Sequence, residues 1–119
     1  MNNTTQSSFQ TALSTFIARW QGMMNDYYRM NYSTLPIPTI VVMKGRKFAR
    51  IVKQEGGGSR SSIGFVALVD GAVEGVAVKQ GDILRSASWN APAKHTRGSI
   101  FAPDGGMNAV TPYGVRGLR

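Results

Sequence analysis

The stretch GDILRSASWNAPAKHTRGSIF, residues 81–101, reads as a strand, a proline break, a basic turn and a second extended piece. Asp82–Trp89 has strand composition. Alternation places Ile83, Arg85, Ala87 and Trp89 on one side, and Leu84, Ser86 and Ser88 on the other. Asn90-Ala91-Pro92 stops that strand, because proline has no N–H to give a ladder. Ala93–Gly98 then reads as a turn carrying Lys94, His95 and Arg97, and Ser99–Phe101 resumes as extended chain. The stretch holds the one histidine and one of the two tryptophans. Strands joined by short turns pair antiparallel, so this part of the chain belongs to a meander.

Working upstream, the glycine-rich turns continue. Ile63–Val69 (IGFVALV) carries no charge and is the expected central strand. Ala72–Gln80 reads as a loop or a short irregular strand, with a turn at Glu74-Gly75. Thr39–Met43 (TIVVM) and Arg46–Gln54 form a hairpin across Lys44-Gly45. Along the second arm Arg46, Phe48, Arg50 and Val52 share one face, while Lys47, Ala49, Ile51 and Lys53 share the other, which is the better candidate for the core. Before Leu35-Pro36-Ile37-Pro38 the period changes. Phe9, Leu13, Phe16, Trp20, Met23, Tyr27 and Met30 alternate steps of four and three, a heptad seam on one helix. Residues 1–8 read as a flexible terminus with Ser7 or Ser8 as N-cap.

The expected fold is therefore α+β: one domain over residues 9–119, with a helix over 9–32 packed on a small antiparallel β-meander of three to five strands within 39–119. The helix seam either covers the sheet or joins two copies into a homo-oligomer.

The chain of 119 residues carries 14 Lys and Arg against 6 Asp and Glu, a net charge of +8. That balance favours a polyanionic partner: nucleic acid or an acidic protein surface. Cysteine is absent, which excludes disulfides and cysteine-based zinc sites. No apolar run approaches the ~18 residues that span a bilayer, and MNNTTQSS lacks the features of a signal peptide, so a membrane partner is not expected. No catalytic set, cofactor motif or metal-ligand spacing is present. His95 stands alone, the six carboxylates fall mostly at turns, and GGGSRSS lacks the ending of a phosphate-binding loop.

What remains is a set of cations interleaved with aromatics. Arg46, Arg50, Lys53, Arg60, Arg85, Lys94, His95 and Arg97 are the candidate phosphate contacts, and Phe48 and Trp89 the candidate base-stacking rings. The same residues also suit an edge strand protected by charge, a surface turn and a core tryptophan.

The quoted stretch, with SRSSIGFVALVDG before it and TPYGVRGLR after it, resembles a group of small tailed-bacteriophage proteins of unknown function. Their shared pattern is G-D-[IV]-L-[RK]-x-A-[ST]-W-x-A-P-A-K-x-x-R-G-x-I-F followed by PYG. The resemblance covers residues 46–119; the N-terminal helix and VEGVAVKQ lie outside it. It implies a phage accessory protein acting in the host cytoplasm, with no activity attached. The leading expectation is a non-enzymatic nucleic-acid-binding protein. The alternatives are a protein that inhibits a host or anti-phage defence enzyme, such as a nuclease complex, and a structural component of the virion.

Overall fold

The computed structural model describes residues 4–117. It shows one long helix, α1 (Thr4–Asn31), laid on a five-stranded sheet. The sheet strands are β1 (Thr39–Lys44), β2 (Phe48–Gln54), β3 (Arg60–Ala67), β6 (Asp82–Ser86) and β7 (Pro92–Ser99). They lie in the order β1-β2-β3-β6-β7, with every neighbour antiparallel. Between β3 and β6 the chain makes a small hairpin, β4 (Gly71–Val73) and β5 (Val76–Val78). After β7 a short 3-10 turn (Met107–Ala109) leads into β8 (Val110–Thr111) and β9 (Gly114–Val115). The α+β meander is as expected, and the uncharged segment beginning at Ile63 lies in the central strand.

The main core lies between α1 and the sheet. Phe9, Leu13, Phe16, Trp20 and Met24 are buried against Ile40, Ile51, Ile63, Val66 and Ile83. The C-terminal segment closes the same layer with Ile100, Ala109, Val110 and Val115. Trp20 is fully buried, and its indole N–H donates to the Thr111 carbonyl at 2.8 Å. That bond satisfies the one polar atom the ring carries inward. Two glycines permit the close approach. A Cβ on Gly64 would meet Val115 at 2.5 Å. Gly81, at φ +92°, opens the quoted stretch in the left-handed region, and the Phe101 ring lies 2.6 Å from where its Cβ would be.

Four details of the sequence reading are corrected. The helix begins at Thr4, so residues 4–8 are helical and neither Ser7 nor Ser8 is its cap; residues 1–3 lie outside the described residues. The heptad seam does not hold. After Trp20 the buried line passes to Met24, while Met23 and Tyr27 are half-buried and Met30 is 86% exposed. A straight helix turns once per 3.6 residues, so a strict seven-residue stripe drifts by ~20° per heptad. From Phe9 to Met24 the buried side of α1 packs on the sheet of its own chain. At ~1.5 Å per residue α1 is also longer than the sheet beneath it, and its last turn overhangs.

The third correction lies in the opening stretch. Ala93–Gly98 is not a turn: it is most of β7, an eight-residue edge strand. Pro92 starts it, a position where the missing N–H costs the ladder nothing. The true turn is residues 87–91, so Asp82–Trp89 is a strand only to Ser86. Last, Arg46 belongs to the Gly45–Lys47 turn rather than to β2.

Candidate nucleic-acid interface

The face of the sheet away from α1 carries the site. Antiparallel register aligns Met43, Arg50, Phe65, Leu84 and Thr96 in one row across all five strands. Part of this face is dry. Phe65, Ala67, Val78 and Leu84 are buried there, with Phe48 and Val73 packed against them. The β4–β5 hairpin supplies Val73 and Val78, so it acts as the cover. Glu74 and Gly75 take positive φ at its tip, 49° and 83°.

Beyond that cover stands Arg50. The 87–91 turn closes through the Ala87 and Ser88 N–H groups, which donate to the Ala91 carbonyl at 2.9 and 3.2 Å. It folds over the sheet and brings Trp89 onto the arginine. Arg50 Nε donates to the Trp89 carbonyl at 2.7 Å, and its guanidinium carbon lies 4.8 Å from the indole centroid and 5.9 Å from that of Phe65. A guanidinium is planar and weakly hydrated, so it stacks on rings where an ammonium would not. The arrangement also corrects the side assigned to Trp89. Alternation placed it with Ile83, which faces α1, but the strand ends before it and the turn carries it to the opposite face.

Between this turn and the β1–β2 turn opens a cleft of about 250 Å³. Lys44, Arg46, Lys47 and Arg50 line it, with Phe48 and Phe65 below and Asn90 and Pro92 on the opposite wall. Among the described residues the ion pairs are Asp26–Arg29 and Lys53–Glu55, both 3.6 Å. The four cations of the cleft therefore have no carboxylate in ion-pair contact among the described residues. Like charges gathered on one rim repel, and an anion placed among them relieves that repulsion.

Arg46, Phe48, Arg50 and Trp89 are thus brought together, although Phe48 is half-buried beside Phe65, with ring centroids 6.4 Å apart, rather than shown to solvent. Lys53 is across the sheet: it pairs with Ile40 of the α1-facing core and bonds Glu55. Arg60 lies at the opposite end of β3, with its Nε on Gln54 Oε1 at 3.3 Å. Arg85 lines a separate cleft of about 270 Å³ with Tyr113, beside the Ser62–Ser86 hydroxyl pair. Lys94 and His95 are exposed on edge strand β7. Arg97 is tied to backbone, donating to the His95 and Arg116 carbonyls at 2.7 and 3.0 Å. Lys44, Lys47 and Phe65 are the residues the sequence reading missed. The basic run KGRK and the register opposite Arg50 are the signals for them.

A second feature was not anticipated. All four tyrosines gather at the overhanging end of α1. Tyr27 lies within 6.2 Å, centroid to centroid, of Tyr28, Tyr32 and Tyr113. The Tyr27 and Tyr113 hydroxyls are hydrogen-bonded, which, with partial loss of water, pushes the Tyr27 phenol well above its ordinary range. Among the described residues no group of three His, Cys, Asp or Glu is placed to hold a metal ion, and no helix is long and apolar enough to cross a membrane.

The chain belongs to a family of unknown function, DUF7717, whose model matches residues 3–111. The match takes in α1 together with the sheet, so the helix is a family feature and not an addition peculiar to this chain. No curated protein and no solved structure matches the chain.

Proposed function

We propose that this family member is a small accessory protein that binds nucleic acid in the cleft between the β1–β2 and β6–β7 turns. The observation that carries the reading is the Arg50 guanidinium held between Trp89 and Phe65, beside Lys44, Arg46 and Lys47. Backbone phosphates meet the cations, and an unpaired base stacks on the indole, which keeps 38% of its surface exposed. The phage origin and host-cytoplasm setting suggested by the sequence pattern fit such a role.

Fluorescence anisotropy with single-stranded DNA, duplex DNA and RNA probes at two salt concentrations tests this. With about four phosphate contacts, log affinity for a single strand falls against log salt with a slope of about −3. Trp20 is buried, so emission quenched by the ligand should come from Trp89 and vanish in Trp89→Phe. Absence of binding to every probe at low salt refutes the proposal.

A second reading, inhibition of a host or defence enzyme through protein contact, has the tyrosine cluster in its favour. Tyr113 is 66% exposed, and Met30 and Leu35 are exposed as well. Aromatic rings with little entropy to lose suit protein interfaces. Capture of a host protein from nuclease-treated lysate, lost on Tyr113→Ala but kept on Arg50→Ala, would favour inhibition over nucleic-acid binding.

A further inference from the structure

The two edges of the sheet are finished differently. Edge strand β7 is protected: it starts at Pro92, carries Lys94, His95 and Arg97, and its pairing with β6 is twice irregular. These are the devices that stop a strand edge from pairing with another chain. Edge strand β1 has almost none of them. Its six residues, TIVVMK, pair with β2 in unbroken register and contain no proline and no charge before Lys44.

Parity shows which groups β1 leaves open. Gly45 N–H bonds the Phe48 carbonyl inward, and Ile40 N–H bonds Gln21 Oε1 at 2.7 Å instead of β2. Ile40, Val42 and Lys44 therefore turn their backbone groups outward. Gln21 takes one of them; among the described residues none bonds the outward groups of Val42 and Lys44. Beside this edge, between β1 and α1, runs a groove of about 350 Å³ lined by Leu13, Ser14, Ile17, Ala18, Val42 and Lys44.

We propose that β1 pairs antiparallel with β1 of a second copy, about a two-fold axis through Val42, to make a continuous ten-stranded sheet. Charge argues for a copy of this chain as the occupant. In a protein of net charge +8 this edge and groove carry one charge, that of Lys44. In the proposed register Lys44 lies opposite Ile40 of the other copy, and Gln21 releases the Ile40 N–H when that pair forms. The two lysines then stand about 14 Å apart at ~3.4 Å per residue, beyond the ~8 Å screening length of physiological salt. An axis perpendicular to the sheet puts both helices on the same face, where Ser14 and Ala18 are small enough to let them pass closely. The pairing is isologous, so it closes at two copies.

Light scattering and sedimentation of the full chain over a wide concentration range, at physiological salt, should give twice the 12.9 kDa chain mass. Ala18→Arg, exposed on the helix and outside the core, should weaken the dimer at least tenfold while thermal melting shows it folded. Val42→Pro removes the outward N–H together with the packing of the Val42 side chain on the core, so thermal melting must first show it folded; it should then be a monomer. As a check independent of any variant, hydrogen exchange at the Val42 and Lys44 amides should slow as protein concentration rises. A monomer at every concentration, a larger assembly, or a dimer unchanged by Ala18→Arg and without protection at Val42 overturns the proposal.

Discussion

Under α1 the sheet is sealed: a fully buried tryptophan, two further aromatics and the C-terminal segment close over Ile51, Val66 and Ile83. On the other face the β4–β5 hairpin covers Phe65, Ala67 and Leu84 and stops short of Arg50. There the rings go on, but their partner is a guanidinium, with three more cations on the rim. The same five strands thus supply one face to the fold and leave part of the other uncovered. What changes between the two faces is the partner of the ring. Where an aromatic meets aliphatic chains it serves packing; where it meets an arginine with no carboxylate in contact among the described residues, it holds a cation at the surface.

The comparison breaks most visibly on the sealed face. Trp20→Ala leaves a large void and an unpaired Thr111 carbonyl, and should cost about 3–5 kcal/mol, read from urea denaturation. That is a large share of the ~5–15 kcal/mol that holds a domain of this kind. Leu84→Ala tests the covered part of the other face. The smaller ring-lined cluster under a two-strand hairpin can relax, so the expected loss is nearer ~2–3 kcal/mol. A loss equal to that of Trp20→Ala would mean the hairpin side is as much a folding core as the helix side.

The open part of that face should behave in the opposite sense. Arg50→Ala removes one hydrogen bond and two ring contacts at the surface, worth about 1 kcal/mol of stability at most. Its effect on nucleic-acid affinity should be about tenfold or more, and Arg50→Lys should recover little, because an ammonium does not stack. Trp89→Ala should match it in affinity, since one stacked base is worth ~1–3 kcal/mol. If Arg50→Ala unfolds the protein instead, the guanidinium is a structural plug and the two faces differ less than they look.

How much of this was legible follows the same division. Short-range pattern reported the sealed face: the spacing of Phe9, Leu13, Phe16 and Trp20, the β-branched run of β1, and the Ala49–Ile51 face of β2 are all as read. The seam failed only past Trp20, where the helix phase carries the buried line to Met24 and leaves Met30 in solvent. The open face depends on pairing between distant strands. Phe65 lies opposite Arg50 only because Ile51 sits opposite Gly64, and no local pattern encodes that register. Trp89 reaches Arg50 by a turn folding back over the sheet, whereas alternation assumes the strand runs on. Lys94, His95 and Arg97 read as a basic cluster in sequence. In a strand, successive residues diverge, and Arg97 is bound to backbone carbonyls.

The smallest expected effect sharpens the contrast in charge. Among the described residues no carboxylate lines the cleft, while the sealed face is latched by one. Asp104 accepts the backbone N–H of Gly106 at 3.0 Å and of Asn108 at 2.7 Å, and Arg19 of α1 donates to its carbonyl at 3.1 Å. This holds the Gly105-Gly106 turn against the helix. The Asn108 N–H first, and the Gly106 N–H next, favour the ionised carboxylate and hold its pKa below the ordinary value. A carboxyl depressed on folding gives stability that is fully present above its unfolded pKa, near ~4, and is lost as pH falls through the lower folded value. Urea midpoints of the wild type and Asp104→Asn should therefore differ by a constant amount from neutrality down to about pH 5, then converge on further acidification. Nucleic-acid affinity at neutral pH should be the same for both, since the latch lies on the far side of the sheet from the cleft. A midpoint gap that persists unchanged at pH 2 would mean that Asp104 acts by shape rather than charge, and the sealed face would then owe nothing to electrostatics at this turn.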